Sequence, residues 1–474
     1  MTSLMNPPLS SSEPRAQRAH QQLLELIDRG RATVAIVGLG YVGLPLLAAV
    51  ADAGYPAIGI DRDAEKIEKL RRGENYLPHL GDEMAKSIGT NRRVKLAAER
   101  AALRDADVVL ICVPTPLTDG KLPDLSYVED AARDIRRFAI EPEPERARLV
   151  VLESTTYPGT TRDVLLPILE GGEPADEHGG GGCDTLGPSI PGLFCAFSPE
   201  REDPANKGHT TRTIPKLVGG VDEASLELAV RLYGKVVERV VPCSSAEVAE
   251  AAKLVENIYR AVNIALVNEL KVVFERMGID IWEVLDAAAT KPFGFQRFNP
   301  GPGWGGHCVP IDPYYLTWKA RQLGEETRFI ELAGEINRRM PFYVVEKCAE
   351  ALRSRGMMLE GARVLVLGLA YKANVGDVRE SPSFELIELL RRRGAKVEYH
   401  DPYVARTWKG RRHDVQMSSV PFAPETISSF DLVLISTDHD WYDWDLVGRH
   451  ARLIVDTRNA MRAVESAAGK VWKA

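Results

Sequence analysis

Six cysteines (Cys112, Cys183, Cys195, Cys243, Cys308 and Cys348) are scattered along 474 residues without one Cys-x-x-Cys pair, which excludes a zinc ribbon or a disulfide framework as the organising principle. No metal is expected, and free thiols fit a reducing, cytoplasmic setting. A basic excess is also missing. With a formal net charge of −7 the chain has no broad affinity for nucleic acid or anionic membranes, so an acidic substrate must meet local basic residues. A long uninterrupted apolar run is missing too. Residues 33–50 carry no charge, but Gly38, Gly40, Gly43 and Pro45 break the segment, and its opening "TVAIV" has the β-branched character of a buried strand, so no membrane span is expected. The first thirty residues contain no signal-like core; "QQLLELIDRG" reads as a short amphipathic helix stopped by Gly30, after a Ser- and Pro-rich tail over residues 1–14 that reads as disordered.

What is present is an ordinary globular composition, 45% hydrophobic and 27% charged, on a chain long enough for roughly two to four domains. A faint repeat organises it. "ATVAIVGLGY" from Ala32 and "ARVLVLGLAY" from Ala362 share Ala, Val, Gly, Leu and Tyr at matching positions, and both are apolar strands running into a glycine turn. Each leads to a helical segment and a second strand that ends in an acid, Asp61 in the first copy and Asp401 in the second. Further apolar strands follow in both halves. The fold class is therefore α/β, with two Rossmann-like doubly wound parallel-sheet domains joined by a central helical region. The boundaries expected are a tail and short helix over 1–30, a first Rossmann domain over 31–243, a helical region over 244–355 that serves as hinge and dimer surface, and a second Rossmann-like domain over 356–474. Within the first domain, residues 170–192 are glycine-rich without periodicity and read as a surface loop.

"GLGYVG" (Gly38, Gly40, Tyr41, Val42 and Gly43 among its residues) has the Gly-x-Gly-x-x-Gly spacing in the right context, with a strand before it, a helix after it and Asp61 at the end of the next strand. Glycines there permit a tight turn and let a pyrophosphate approach the helix N-terminus, whose free N–H groups favour negative charge. Asp61 would accept from both ribose hydroxyls and repel a 2′-phosphate, which favours NAD over NADP, while the neighbouring Arg62 softens that discrimination. The second copy has Ala370 in place of the second glycine and is expected to bind something else, with Lys372 and Arg379 pointing to an anion.

In "GPGWGGHCVPIDP" (Gly301–Pro313) glycines clear side chains from around Cys308 and Val309-Pro310 stiffens the exit, a setting for a nucleophile rather than an inert core thiol. A dehydrogenase with such a cysteine can trap an aldehyde as a thiohemiacetal, oxidise it to a thioester and release an acid, a four-electron oxidation.

From "GLGYVGLP" through "ESTTYPGTT", "SPERED", "KLVENIYRAVNIALVNEL" and "GGHCVPIDP" to "GLAYKANVGDVRESPS" and "VDTRN", the chain resembles the UDP-glucose/GDP-mannose dehydrogenase family over nearly its whole length. That resemblance implies an N-terminal NAD domain, a central dimerisation region giving a homodimer or larger homo-oligomer, and a C-terminal domain that holds a UDP-sugar. Residue by residue it implies Cys308 as nucleophile and Asp312 as the acid that activates water or steadies the thiol. Lys253 and Asn257, four apart on one helix face, match the pair that stabilises the oxyanion; without the resemblance "AKLVEN" is a solvated face. Thr155 and Glu200 match residues that position or deprotonate water. Thr115 and Thr155 are implied on the cofactor side, and Arg201, Gly305, Lys372 and Arg379 on the substrate side with Glu200, Lys253 and Asn257. Arg297 is implied to reach a partner subunit's site.

Two departures matter. UDP-glucose enzymes tend to carry a lysine where this chain has Ile311, and a second glutamate where it has Pro204 beside the shifted pair Glu202 and Asp203; His307 also precedes the thiol. These features resemble the UDP-N-acetylhexosamine branch, and with the lead-in "LLELIDRGRATVAIVGLGYVGLP" they resemble its UDP-N-acetylglucosamine 6-dehydrogenases most. His307 itself reads as a packed loop histidine. A two-electron alcohol dehydrogenase on the same cofactor turn has no use for Cys308 with Lys253, and a non-catalytic nucleotide-sugar or NAD sensor is the third class.

Overall fold

The structure is a computed structural model that describes residues 13–77, 80–118, 120, 122–174, 187–201, 208, 210–306, 309–407 and 413–474. His307, Cys308, residues 202–204, the N-terminal residues 1–12 and the stretch 175–186 of the glycine-rich segment lie outside the described residues. The chain forms two compact units, residues 1–255 with 318–325, and residues 256–317 with 326–474.

Eight short strands make the sheet of the first unit: β1 (Val34–Val37), β2 (Ala57–Ile60), β3 (Val94–Ala97), β4 (Val108–Ile111), β5 (Arg148–Leu152), β6 (Leu193–Phe197), β7 (Lys216–Gly220) and β8 (Val240–Pro242). Their order is β3-β2-β1-β4-β5-β6-β7-β8. β1 and β4 are aliphatic throughout, β5 is aliphatic after its buried Arg148, and all three are buried along their whole length, as expected of strands covered by helices on both faces. All neighbours run parallel except β6 and β7, where Ala196 pairs with Gly220 and Phe197 with Gly219 in antiparallel register. The parallel expectation misses this pair, since antiparallel neighbours need no crossover helix between them. The N-terminal helix, Glu13–Asp28, is longer than "QQLLELIDRG" and ends as expected, with Gly30 at φ +65°. Its Leu23 and Ile27 are part of the unit's core, and Tyr55 donates its hydroxyl to the Ile27 carbonyl at 3.0 Å.

The expected helical middle appears as Ala246–Arg276, Asp312–Gln322 and Arg328–Arg353. Gly324 falls in a break between helices, whereas Pro341 is carried inside one.

The second unit has five parallel strands, β9 (Arg363–Leu367), β10 (Lys396–His400), β11 (Leu432–Ile435), β12 (Ile454–Asp456) and β13 (Val471–Lys473), in the order β10-β9-β11-β12-β13. The repeat is physical as well as textual. Gly38 N–H donates to Ile60 O at 2.8 Å and Gly368 N–H to His400 O at 2.9 Å. Asp61 accepts from Leu39 N–H at 2.9 Å, and Asp401 from Leu369 N–H at 2.7 Å. The copies diverge after the turn. In the first, the helix Gly43–Asp52 begins within a few residues; in the second, a loop intervenes before Ser381 caps the helix Pro382–Arg392. Asp401 also takes Ala370 N–H and, at 3.0 Å, the Nε2 of His439. His439 Nδ1 accepts from Asn374 N–H at 2.9 Å, so the ring proton sits on Nε2 and is given to Asp401. The acid that would meet a ribose is thus closed by a buried imidazole, which is why the second copy cannot hold a dinucleotide as the first does.

Asp401→Asn is expected to lose about 2–3 kcal/mol at pH 7, because an amide meets N–H donors with its own NH2 group. Burial raises the pKa of Asp401, but the His439 and backbone hydrogen bonds outweigh it and hold the carboxyl below its ordinary value. That share of stability is present above about pH 4 and lost as the pH falls below it. Urea denaturation at pH 7 and in acid should therefore show the gap between wild type and variant closing in acid.

Candidate active site

At the first glycine turn Gly38 adopts φ +94°, and a Cβ on Gly43 would lie 1.8 Å from the Gly38 carbonyl oxygen, so both positions are fixed by the backbone itself. Gly40 differs: a Cβ there would meet nothing within 4 Å. The helix Gly43–Asp52 has no side-chain cap at Val42 and no acid in its first turn, which leaves its amides for an anion. Beside the turn a cavity of about 200 Å³ is lined by Asp61, Arg62, Val113, Pro114 and Tyr127, with the Arg62 guanidinium 4.7 Å from the Tyr127 ring centroid. A bare approach at Gly40, a donor-rich helix start and an acid beside a nucleoside-sized cavity fit NAD. Asp61 has a second duty, since its Oδ2 also lies 3.4 Å from Lys66 Nζ and its Oδ1 accepts from Asp63 N–H.

The ends of β4 and β5 bring the next group together. Thr115 Oγ1 donates to Thr155 O at 2.7 Å, and Ser154 Oγ to Val113 O at 2.7 Å, which ties the two loops that carry the expected threonines. Glu153, just after β5, is buried and accepts Lys216 Nζ at 2.6 Å. The same ammonium lies 3.2 Å from Glu200 Oε2. Arg201 turns its Nη1 to Pro215 O at 2.7 Å, bracing the segment that bears Glu200.

Lys253 and Asn257 are both buried one turn apart on the helix Ala246–Arg276. One turn before Lys253, Glu250 holds the loop after Thr155: Gly159 N–H and Thr161 N–H donate to it at 2.6 and 2.9 Å, and Thr161 Oγ1 at 2.7 Å. Burial pushes the Glu250 carboxyl up to about 7 against these hydrogen bonds.

In the second unit Asn257 Nδ2 donates to Asp312 Oδ2 at 2.6 Å, with both side chains buried, so two of the residues singled out by sequence meet across 55 positions. The glycine loop docks on the turn of the second repeat. Gly306 N–H donates to Arg379 O at 3.0 Å, and a Cβ on Gly305 would lie 2.6 Å from the Tyr371 Cβ, so the loop is bare because it packs tightly, not only to admit a substrate. Arg379 grips Asp377 through Nε and Nη2 at 2.7–3.1 Å. Arg297 pairs with Asp286 and, at 2.9 Å, with Asn299 of its own chain. Lys372 lies in the loop between the second glycine turn and Ser381.

Sequence reasoning misses Glu153, Lys216, Glu250 and Asp377. Glu153 is visible as an acid closing an apolar strand, and Glu250 as an acid one turn from Lys253. Lys216, heading another apolar strand, carries no signal of its own.

Two measurements follow from this geometry. Gly43→Ala should lose about 1–3 kcal/mol of stability together with NAD binding, whereas Gly40→Ala should keep its stability within about 0.5 kcal/mol and weaken NAD by about tenfold or more; calorimetric titration with thermal melts separates them. For Glu250, a pKa raised in the folded state means stability that is full below about pH 4.5 and lost as the pH rises through about 7. Glu250→Gln should flatten that slope and cost about 1–3 kcal/mol at pH 7.5, because its NH2 faces N–H donors.

The sequence models of one family match the chain in order. They are the NAD-binding domain of the UDP-glucose/GDP-mannose dehydrogenase family over residues 32–237, its central domain over 247–339 and its UDP-binding domain over 365–463. Among the relatives, the UDP-N-acetyl-D-mannosamine dehydrogenase of Pyrococcus horikoshii is 33% identical over 90% of this chain and 96% of its own. The UDP-N-acetyl-D-glucosamine 6-dehydrogenase of Pseudomonas aeruginosa is also 33% identical, over 86% of this chain and 90% of its own. Of solved structures, that of the Pyrococcus horikoshii enzyme aligns with TM-score 0.79 at 31% identity, covering 93% of this chain and 98% of that one. A UDP-glucose dehydrogenase from Pyrobaculum islandicum aligns with TM-score 0.78 at 28% identity, covering 94% and 97%. With the glycine turn, the motifs and the order of domains in agreement, the chain belongs to the UDP-glucose/GDP-mannose dehydrogenase family, and NAD is its cofactor.

Proposed function

We propose that the protein oxidises the C6 primary alcohol of a UDP-N-acetylhexosamine, with UDP-N-acetylglucosamine preferred, to the uronic acid. The observation that carries the chemistry is the buried hydrogen bond from Asn257 to Asp312, the residue four beyond Cys308 in sequence. NAD, when bound, takes up the hydride in each of two successive oxidations. Between them the Cys308 thiolate adds to the aldehyde carbon and gives a thiohemiacetal; the second oxidation turns that into a thioester, and water expels the thiol as the carboxylate forms. Lys253 and Asn257 supply a cation and an amide donor to the oxygen that gains charge in these steps. Asp312 steadies the thiol or the water, Thr155 and Glu200 position the water, and Lys372 and Arg379 serve the anionic end of the substrate.

The choice of sugar is supported by "GGHCVPIDP" and "SPEREDP", and by the names of the N-acetylhexosamine relatives. UDP-N-acetylmannosamine is the second reading, favoured by the Pyrococcus horikoshii relative at equal identity. A homodimer in the cytoplasm is part of the same proposal: Tyr259, Leu266 and Val273, spaced by seven on the long helix, are each about half exposed, an apolar stripe suited to a second copy.

Two NADH per sugar and no free aldehyde are expected, with Cys308→Ala inactive; one NADH per sugar would support a two-electron dehydrogenase instead. In side-by-side kinetics on four UDP-sugars, UDP-N-acetylglucosamine should exceed UDP-glucose in kcat/KM by about 5- to 150-fold, the worth of one satisfied buried amide. A tenfold advantage for UDP-glucose overturns the branch, and the best rate with UDP-N-acetylmannosamine selects the second reading.

A further inference from the structure

In the first sheet β7 runs against its neighbour β6, and β8 follows β7 in the same direction. Ligands of open α/β sheets gather at the carboxyl ends of the parallel strands. A parallel β7 would carry its first residue to the opposite edge, whereas the reversed strand brings Lys216 to the edge where β5 and β6 end. There Lys216 is 3% exposed and its ammonium has three acceptors: Glu153 Oε2 at 2.6 Å, Glu200 Oε2 at 3.2 Å and the Pro199 carbonyl at 3.4 Å. Three donors meet three acceptors, so the lysine is fully committed.

The segment bearing Glu200 is fastened to β7 and the residue before it at further points. Ser198 Oγ donates to Leu217 O at 2.8 Å, Arg201 Nη1 to Pro215 O at 2.7 Å, and Arg201 N–H to Glu200 Oε1 at 2.7 Å. On the far side Tyr233 donates its hydroxyl to Glu153 Oε1. One cation is therefore shared by two carboxylates in a place with little water. Burial alone would lower the Lys216 pKa, but the two acids overcome it and keep the lysine protonated, while burial raises Glu153. The other groups facing this cluster are the Cys112 thiol, which burial pushes well up, and the Tyr233 hydroxyl, pushed up in the same way; both stay neutral.

We propose that Lys216 is the positioning residue of the water step: it fixes the Glu200 carboxylate by a direct ion pair, with Glu153 as the acid that competes for the same ammonium. The inference rests on the reading of Glu200 given above. It does not require Lys216 to touch substrate, and it accounts for a buried charged triad whose replacement by apolar residues is often neutral or favourable for stability alone.

The direction of the pH response distinguishes this role from scaffolding. With the cation removed Glu200 is no longer held in place, so in Lys216→Met kcat at pH 7.5 should fall about tenfold or more and the acid limb of the kcat–pH profile should shift to higher pH, with the Kd for NAD within about twofold of wild type. Glu153→Gln frees the lysine for Glu200 and should move the same limb down. In a Glu200→Gln background Lys216→Met should change kcat by less than about twofold, since its effect passes through the missing carboxylate. If Lys216→Met does not fold, Lys216→Arg keeps the charge and should leave the limb in place while kcat falls; a lower Tm with unchanged kcat would instead mark a structural role and overturn the proposal. An impaired Glu200→Gln enzyme beside a Lys216→Met enzyme of normal rate and limb overturns this inference alone. A fully active Glu200→Gln enzyme removes Glu200 from the chemistry and takes the inference with it.

Discussion

In each sheet a buried carboxylate holds a glycine turn by its backbone. Asp61 binds Leu39 N–H, and Asp401 binds Leu369 N–H, at the same step of the repeat. A turn tight enough to bring a helix or a loop over the end of a strand leaves amide donors facing inward, and burying them unpaired would cost about 1–3 kcal/mol each. The acid at the end of the next strand supplies the acceptor. In the first copy it keeps one face toward a cavity; in the second His439 closes that face.

Much of this was legible in the residues. The glycine spacing, the two strand-end acids and the apolar strands locate both sheets, because each element is specified by local chemistry: β-branched runs for strands, glycine where no Cβ fits. The family's motifs single out Asn257 and Asp312 separately, but their pairing was not legible, since nothing in either neighbourhood specifies a contact across 55 positions. Other features were out of reach. Nothing in the apolar run of β7 tells in which direction it pairs, so its reversal carries no local signal. The burial of Lys216 depends on two acids that only the fold brings near it. Pro341 reads as a helix breaker, yet the helix Arg328–Arg353 carries it in its interior, an instance of tertiary context overriding propensity.

The residues that the motifs advertise are held by residues that they do not. Glu250 fastens the loop beyond Thr155 to the helix that bears Lys253, and Arg379 is held by Asp377 while its carbonyl takes Gly306 N–H. These supports are charged and buried, which makes them expensive to assemble and intolerant of a missing partner. They also explain how functional groups can sit on loops: the loop beyond Thr155 is anchored at two backbone amides by Glu250 of a long helix, and the glycine loop at one amide by the main-chain carbonyl of Arg379.

The divergence of the two copies after their glycine turns has an evolutionary corollary. In the first, the space between turn and helix is four residues long, and what an anion meets there is main chain, which no point substitution can remove. In the second, the loop that begins at Leu369 and ends before Ser381 offers side chains instead. A main-chain site is inherited almost unchanged, whereas a side-chain site can be rewritten one codon at a time. A single ancestral unit, duplicated, would thus supply both a main-chain grip for a dinucleotide and a loop whose side chains are free to change.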